Sequence, residues 1–219
     1  MYKAILFDMD GVLLDTEEQA YEIWRDYLQK NAAYDLDREL YAQVGGSPPD
    51  EFDRFMAEHL PCDPDGLRRY WGEETQRLID LGEVRTLPGF ENLLRFLAGY
   101  SGKKAVVTSN GSAWMEGYAQ LFRLRERFDG VYTGDLVVNR KPAPDLYLHA
   151  CRELGVNPAE CLAVEDSASG ITAALRAGIS VAHMHGISAV PQEMLQQCDY
   201  HVRDLNDVIG ILKKQAPDA

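Results

Sequence analysis

The sequence predicts an α/β fold: a doubly wound parallel sheet interrupted after its first strand by an all-helical insert. Three observations carry that expectation. Lys3-Ala4-Ile5-Leu6-Phe7 is a continuous apolar run, the pattern of a strand covered on both faces. Residues 16–87 then place apolar side chains at helical spacing and contain no convincing strand. From residue 88 onward, short β-type runs alternate with helical stretches, which implies right-handed crossovers and a parallel sheet.

The elements follow in order. Thr16 is a helix start, and Ala20, Ile23, Trp24, Tyr27 and Leu28 recur on one face behind it. Ser47-Pro48-Pro49-Asp50-Glu51 reads as an N-cap with a proline-compatible, acidic first turn, followed by Phe52, Phe55 and Met56 on one side. Asp63-Pro64 opens another helix holding Leu67, Tyr70, Trp71, Leu78 and Leu81. After Leu87-Pro88-Gly89 come a helix over Phe90 to Leu97, a strand over Lys104 to Thr108 and a helix from about Ser112 to Phe122. Val131-Tyr132 is a short strand, a helix starts near Ala143, and Leu162 to Val164 is a strand. A helix over Ala168 to Ala177, a strand over Ile179 to Ala182 and a helix over Leu205 to Leu212 complete the pattern. Residues 1–15 and 88–219 form the α/β core, residues 16–87 the insert, and the segments 13–16 and 84–88 a two-strand hinge between them.

Composition narrows the partners. With 219 residues, 46% hydrophobic and 26% charged, the chain can bury a sizeable core and is not disordered or collagenous. Thirty-five acidic against 22 basic residues give a net charge of −13, which argues against nucleic acid as a partner. A small anion answers to a local field and is not excluded. No apolar run approaches the roughly 20 residues that span a bilayer, and Met1-Tyr2-Lys3 leads straight into the strand without a leader pattern. Cys62, Cys151, Cys161 and Cys198 lack metal-binding spacings, and Cys151 and Cys161 read as buried free thiols. A cytoplasmic, monomeric protein without membrane contact is the expectation.

Four segments carry chemistry, each at the carboxyl end of a strand, where open α/β sheets place their ligands. Phe7-Asp8-Met9-Asp10-Gly11 sets two carboxylates one residue apart, so that one can attack phosphorus while the other handles a proton; Gly11 lets the chain turn away sharply. Thr108-Ser109-Asn110-Gly111 offers a hydroxyl and backbone N–H groups before a helix, which suits a phosphate oxygen. Arg140-Lys141-Pro142-Ala143-Pro144 presents a cation at a rigid, proline-bounded helix entry. Glu165-Asp166-Ser167 ends a buried strand with two acids, costly unless a metal, Lys141 or solvent compensates them. Oxygen ligands of this kind favour Mg²⁺.

These four segments, in this order, resemble the four motifs of the haloacid dehalogenase superfamily. The wording of Lys141 to Asp145 and Glu165 to Gly170 is similar to its β-phosphoglucomutase-like phosphatases, which carry a helical cap after the first strand. The resemblance spans nearly the whole chain and implies a Rossmann-like core. It also implies roles. Asp8 is then the nucleophile forming an aspartyl-phosphate and Asp10 the general acid/base. Thr108 binds the phosphoryl group together with Ser109 and Asn110, and Lys141 orients Asp8. Asp8, the Asp10 carbonyl and Asp166 are Mg²⁺ ligands, with Glu165 a direct or water-mediated fourth. The implied activity is Mg²⁺-dependent hydrolysis of a small phosphorylated metabolite, a sugar or sugar-acid phosphate.

Two departures bear on the alternative, a β-phosphoglucomutase-type mutase. Such mutases carry a histidine in the first cap helix where this chain has Ala20, and an arginine in the cap loop where it has Pro48. Without an anchor for a second phosphate, hydrolysis is the better reading. Specificity is expected from Gly45, Gly46, Ser47 and Arg54, while Trp24 and Trp71 are read as insert core before cleft wall. His183 and His185 are expected to point apart, with no third ligand in sight, and are not read as a metal site. Arg123, Arg125 and Arg127 read as a solvated helix end, and Asp35, Asp37 and Glu39 as solvent face or cap.

Overall fold

The computed structural model describes residues 2–44 and 49–215. Its strands are β1 (Ala4–Phe7), β2 (Lys103–Thr108), β3 (Gly130–Thr133), β4 (Cys161–Glu165), β5 (Ser180–Met184) and β6 (Tyr200–Val202). They form one parallel sheet in the order β3-β2-β1-β4-β5-β6. β1 lies at the point where the order reverses, with Phe7 beside Val106 on one side and Val164 on the other. The residues that leave β1, β2 and β4 therefore emerge side by side at one end of the sheet, in the crevice that doubly wound sheets use for ligands.

Each strand face has its own core. Ile5, Phe7, Val106, Val164 and Met184 pack against α5 (Phe90–Leu97), α6 (Ser112–Leu121) and α11 (Leu205–Gln215). On the other face Ala4, Leu6, Val107, Ala163 and Val181 meet α8 (Asp145–Leu154) and α9 (Ala168–Arg176). Every residue of β1 is thereby buried, which is why that strand reads as an unbroken apolar run instead of an alternation.

Between β1 and α5 run α1 (Thr16–Ala32), α2 (Arg38–Ala42), α3 (Pro49–His59) and α4 (Pro64–Leu81). They share a separate core of Trp24, Leu28, Tyr41, Met56 and Leu67. Asp63 caps α4, accepting from the N–H groups of Asp65 and Gly66 at 3.2 and 3.0 Å. The two crossings between insert and sheet lie against each other: Asp15 N–H donates to the Arg85 carbonyl at 2.9 Å and Leu87 N–H to that of Leu13 at 3.0 Å. Gln19 stitches the same place, donating to the Glu83 carbonyl and accepting from Arg85 N–H.

Among the α-helices and strands, α2, β6, α7 (Leu124–Arg127) and α10 (Gln192–Leu195) were not anticipated. All are three to five residues long, too short for a period to register. Asp37 is the N-cap of α2, accepting from Leu40 N–H at 2.9 Å. Arg125 and Arg127 lie on α7 itself, and Arg123 precedes it with a left-handed φ of 52°. α8 starts at Asp145, not near Ala143, because Ala143 precedes Pro144 and is steered away from the helical region. Cys151 and Cys161 are buried and free, as expected. His183 and His185 do not point apart: residues two apart along a strand share a face, and the two rings lie 6.5 Å apart, centroid to centroid. Among the described residues, no helix is long and apolar enough to cross a membrane.

Candidate active site

Asp8 leaves β1 still tied to the sheet, its N–H donating to the Val164 carbonyl at 3.0 Å. Lys141 reaches it from the turn before α8. The Lys141 ammonium donates to Asp8 Oδ1 at 2.5 Å, Glu165 Oε1 at 2.6 Å and the Val107 carbonyl at 2.8 Å, so all three of its protons are spoken for. Tyr147, on the first turn of α8, donates its hydroxyl to the same Glu165 oxygen at 2.5 Å. Burial works against the charge on Lys141, but Asp8 and Glu165 outweigh it and hold the ammonium well above its ordinary pKa.

Asp10 sits one step further along the turn. Its Oδ1 accepts from Thr16 Oγ1 at 2.6 Å, and its Oδ2 accepts from Asn110 Nδ2 at 2.8 Å and from Thr108 Oγ1 at 3.5 Å. Burial and the neighbouring Asp8 push its carboxyl up to about 6 against those hydrogen bonds. That is close to the value a proton shuttle at neutral pH needs. Gly11 makes the tight turn possible: its φ is +68°, and a Cβ there would lie 2.1 Å from Asp166 Oδ2.

The acids at the end of β4 divide their work. Glu165 has no exposed surface and lies behind the cleft, held by Lys141 and Tyr147, while Asp166 faces the cavity. Asp8, Glu165 and Asp166 each bring a carboxylate oxygen within 4.8 Å of the others. Burial first, then Lys141 opposing it and Asp8 adding to it, leaves Glu165 at about 7. Burial and the surrounding carboxylates raise Asp166 well above its ordinary value. Glu165 Oε2 is buried without a hydrogen-bond partner. One ammonium facing three buried carboxylates leaves negative charge uncompensated, and the all-oxygen donor set suits a hard divalent cation such as Mg²⁺.

A cavity of about 370 Å³ opens above these groups, between sheet and insert. Asp8, Asp10, Thr108, Ser109, Asn110, Lys141 and Asp166, all named as candidates from the sequence, line it. Arg54 does not: it is exposed and outside the cavity, and Asp53 and Arg68 stand at that wall instead. Gly45, Gly46 and Ser47 lie outside the described residues, as does Pro48. Trp24 is wholly buried insert core, whereas Trp71 both packs on Trp24 and lines the cavity, its ring 5.7 Å from that of Trp114 on α6.

Sequence reasoning missed Thr16, Glu17 and Tyr147. Thr16 was legible only as a helix start, although its place beside Asp15 at the hinge is what aims it at Asp10. Glu17 follows it on the cavity wall, raised to about 8 by burial and by Asp10 and Asp8, with Tyr41 Oη 3.4 Å from its carboxylate. Tyr147 looked like one more apolar position of α8.

Comparison with known proteins gives the family. A family model for haloacid dehalogenase-like hydrolases matches residues 2–178. Fructose-1-phosphate phosphatase YqaB of Escherichia coli is 34% identical over 81% of this chain and 94% of its own length. The phosphorylated carbohydrates phosphatase of Thermotoga maritima is 31% identical over 81% and 82%. CbbY from Rhodobacter sphaeroides, solved in complex with xylulose-(1,5)bisphosphate, superposes with a TM-score of 0.72 at 28% identity, covering 93% of this chain and 95% of that one. The chain belongs to the haloacid dehalogenase-like hydrolases and is an enzyme of the phosphatase kind.

Proposed function

We propose that the protein is a Mg²⁺-dependent phosphomonoesterase that hydrolyses a small phosphorylated metabolite, a sugar or sugar-acid phosphate, through an aspartyl-phosphate on Asp8. The observation that carries this reading is the division of labour between two neighbouring acids. Asp8 is clamped by Lys141 at 2.5 Å, while Asp10 is raised to about 6 and faces the same cavity.

In the first step an Asp8 carboxylate oxygen forms a bond to phosphorus as the bond to the leaving alcohol breaks, and Asp10 delivers its proton to that alcohol. In the second step Asp10, now a carboxylate, takes a proton from a water molecule whose oxygen attacks the same phosphorus. The Asp8–phosphorus bond breaks and phosphate departs. Lys141 offsets charge on the transferring group throughout, and the Thr108 hydroxyl with the backbone of Ser109 and Asn110 receives its oxygens. A Mg²⁺ ion held by Asp8, Asp166 and the Asp10 carbonyl, with Glu165 direct or through water, would neutralise the approach of one anion to another. Residues 16–87 act as a cap over residues 1–15 and 88–219, excluding bulk water from the cleft. We take the enzyme to be a monomer and, in keeping with four free cysteines, cytoplasmic.

The relatives that act on fructose 1-phosphate and phosphorylated carbohydrates support a sugar phosphate. A phosphosugar mutase is the second reading, and Ala20, which lines the cavity with no titratable group, weighs against it. A phosphate-release panel with Mg²⁺ tests both. It covers sugar phosphates, sugar-acid phosphates and nucleotides, follows glucose 6-phosphate formation from β-glucose 1-phosphate separately, and uses Asp8→Asn as the blank. Phosphate release that requires Asp8 is the expected result. Isomer formation without release would establish the mutase, and release that survives in Asp8→Asn would remove Asp8 as nucleophile.

A further inference from the structure

The phosphoryl-binding residues account for only part of the cavity lining; much of the rest comes from α1, α4 and α6. Trp71 on α4 and Trp114 on α6 meet there, 5.7 Å apart between ring centroids and with their planes at 61°. Trp71 also packs edge-on against the wholly buried Trp24, which fixes it to the insert core. Trp114 is 36% exposed, a large apolar surface left open at the cavity. The two indoles touch each other, so they form an apolar corner against which a ligand packs. Beside that corner stand two buried hydroxyls. Thr75, one turn beyond Trp71, and Tyr118, one turn beyond Trp114, are 6% and 3% exposed and line the cavity. Among the described residues, neither hydroxyl takes part in a hydrogen bond. Burial, and after it Asp10 and Glu17, holds the Tyr118 phenol well above its ordinary value, so it remains a donor. A buried tyrosine hydroxyl normally has a partner, and here the cavity must supply it. The Glu17 carboxylate on α1, with the Tyr41 hydroxyl 3.4 Å away, completes the polar set.

Charge limits the ligand as much as shape does. Among the described residues two cations line the cavity, Lys141 and Arg68. Lys141 has its three protons on Asp8, Glu165 and the Val107 carbonyl. Arg68 is paired with both Asp53 and Asp65. Residues 45–52 contribute no Lys, Arg or His. A second anionic group on the substrate would therefore lose its water without an uncommitted cation to meet it. Resting on the phosphatase reading above, we infer that the leaving group is an uncharged ring bearing several hydroxyls, a cyclic sugar or cyclitol. Its C–H face packs on the electron-rich planes of Trp71 and Trp114, and its hydroxyls bond to Thr75, Tyr118 and Glu17. A ring presents that face already ordered, whereas an open chain must first freeze its rotors. Sugar-acid phosphates, bisphosphates and open-chain phosphates are then poor substrates.

Steady-state kcat/KM on matched esters, measured with Mg²⁺ on the full chain, tests this. Glucose 1-phosphate is set against glucuronic acid 1-phosphate, fructose 1-phosphate against fructose 1,6-bisphosphate, and glucose 6-phosphate against open-chain sorbitol 6-phosphate. Acetyl phosphate, whose leaving group is too small to reach the corner, reads the chemistry alone. In every pair that is turned over, the uncharged ring should lead by about tenfold or more. Tyr118→Phe and Thr75→Val should each lower the ratio of ring ester to acetyl phosphate by about threefold to tenfold, the worth of one neutral hydrogen bond. Trp114→Ala should lower it by about tenfold. A ratio taken within one protein cancels any loss of folded enzyme. No phosphate release from any ester would sink the phosphatase reading itself. Hydrolysis of acetyl phosphate with no ring ester leading its pair would overturn the leaving-group assignment alone. So would ratios unmoved in all three variants, or a charged ester that leads its pair and loses that lead in Arg68→Gln, which would make Arg68 the anchor of a distal anion.

Discussion

Thr16 Oγ1 donates to Asp10 Oδ1 at 2.6 Å, so the first residue of the insert's first helix orients the carboxylate proposed as the acid/base. Because the hydrogen bond favours the ionised form, it also opposes the upward shift that burial imposes on Asp10.

Thr16→Val keeps the shape and removes the donor. Turnover should fall about tenfold, the size of a misoriented proton-transfer group, with KM little changed. The sign of the pH effect follows from the lost bond: the Asp10 pKa rises, and the alkaline limb of the kcat/KM profile, above which Asp10 no longer holds the proton it delivers, moves to higher pH. Thr16→Ser should restore both. A Val variant with an unmoved profile would mean that Thr16 only starts the helix.

The cavity acids make stability depend on pH in a stated direction. Asp10, Glu165 and Glu17 have folded values of about 6, 7 and 8, above their ordinary carboxylate values. The folded chain therefore binds more protons than the unfolded one between about pH 4.5 and 8, and stability falls as pH rises through that window. Thermal melts in EDTA should give a higher Tm at pH 5.5 than at pH 8, with a flatter slope for Glu17→Gln. A Tm that climbs across this range would contradict the assigned shifts.

How far the site could be read in advance depended on its distance from a buried strand. Asp8, Thr108 and Glu165 each extend or end an apolar run, and the chain direction alone places them at one edge of a parallel sheet. Asp10 and Asp166 follow within three residues of a strand and Lys141 directly precedes Pro142, so they stood out in the sequence by charge and spacing. The opposite wall was not. Arg54 and Arg68 occupy comparable positions on amphipathic helices, and periodicity separates apolar from polar faces without saying which polar rim meets the cleft. The three-residue strand carrying His201 is also silent, because its alternation is too short to outweigh the surrounding loop residues.

Mg²⁺ should stabilise the fold through Asp166. By mass action a ligand at one hundred times its Kd adds about 2.7 kcal/mol. The wild type should show a clear rise in Tm on adding Mg²⁺ at pH 8, and Asp166→Asn little or none. The metal-free Asn variant should melt above the metal-free wild type, since one of the crowded buried acids is gone. An equal Mg²⁺ response in both proteins would take Asp166 off the ligand set.

Lys141 is the cation on which the buried acids depend. Lys141→Met leaves Asp8 and Glu165 without their partner, and breaking a buried pair in this way costs about 3–5 kcal/mol. Activity should vanish with it. The double variant Lys141→Met/Glu165→Gln should recover a large part of the stability, because an uncharged amide replaces the stranded carboxylate, yet none of the turnover. Denaturant unfolding measured at pH 8 on the single and double variants reads the coupling directly. Additive losses would mean that Lys141 and Glu165 do not act as a pair. Recovered activity in the double variant would mean that Lys141 serves the fold and not the phosphoryl group.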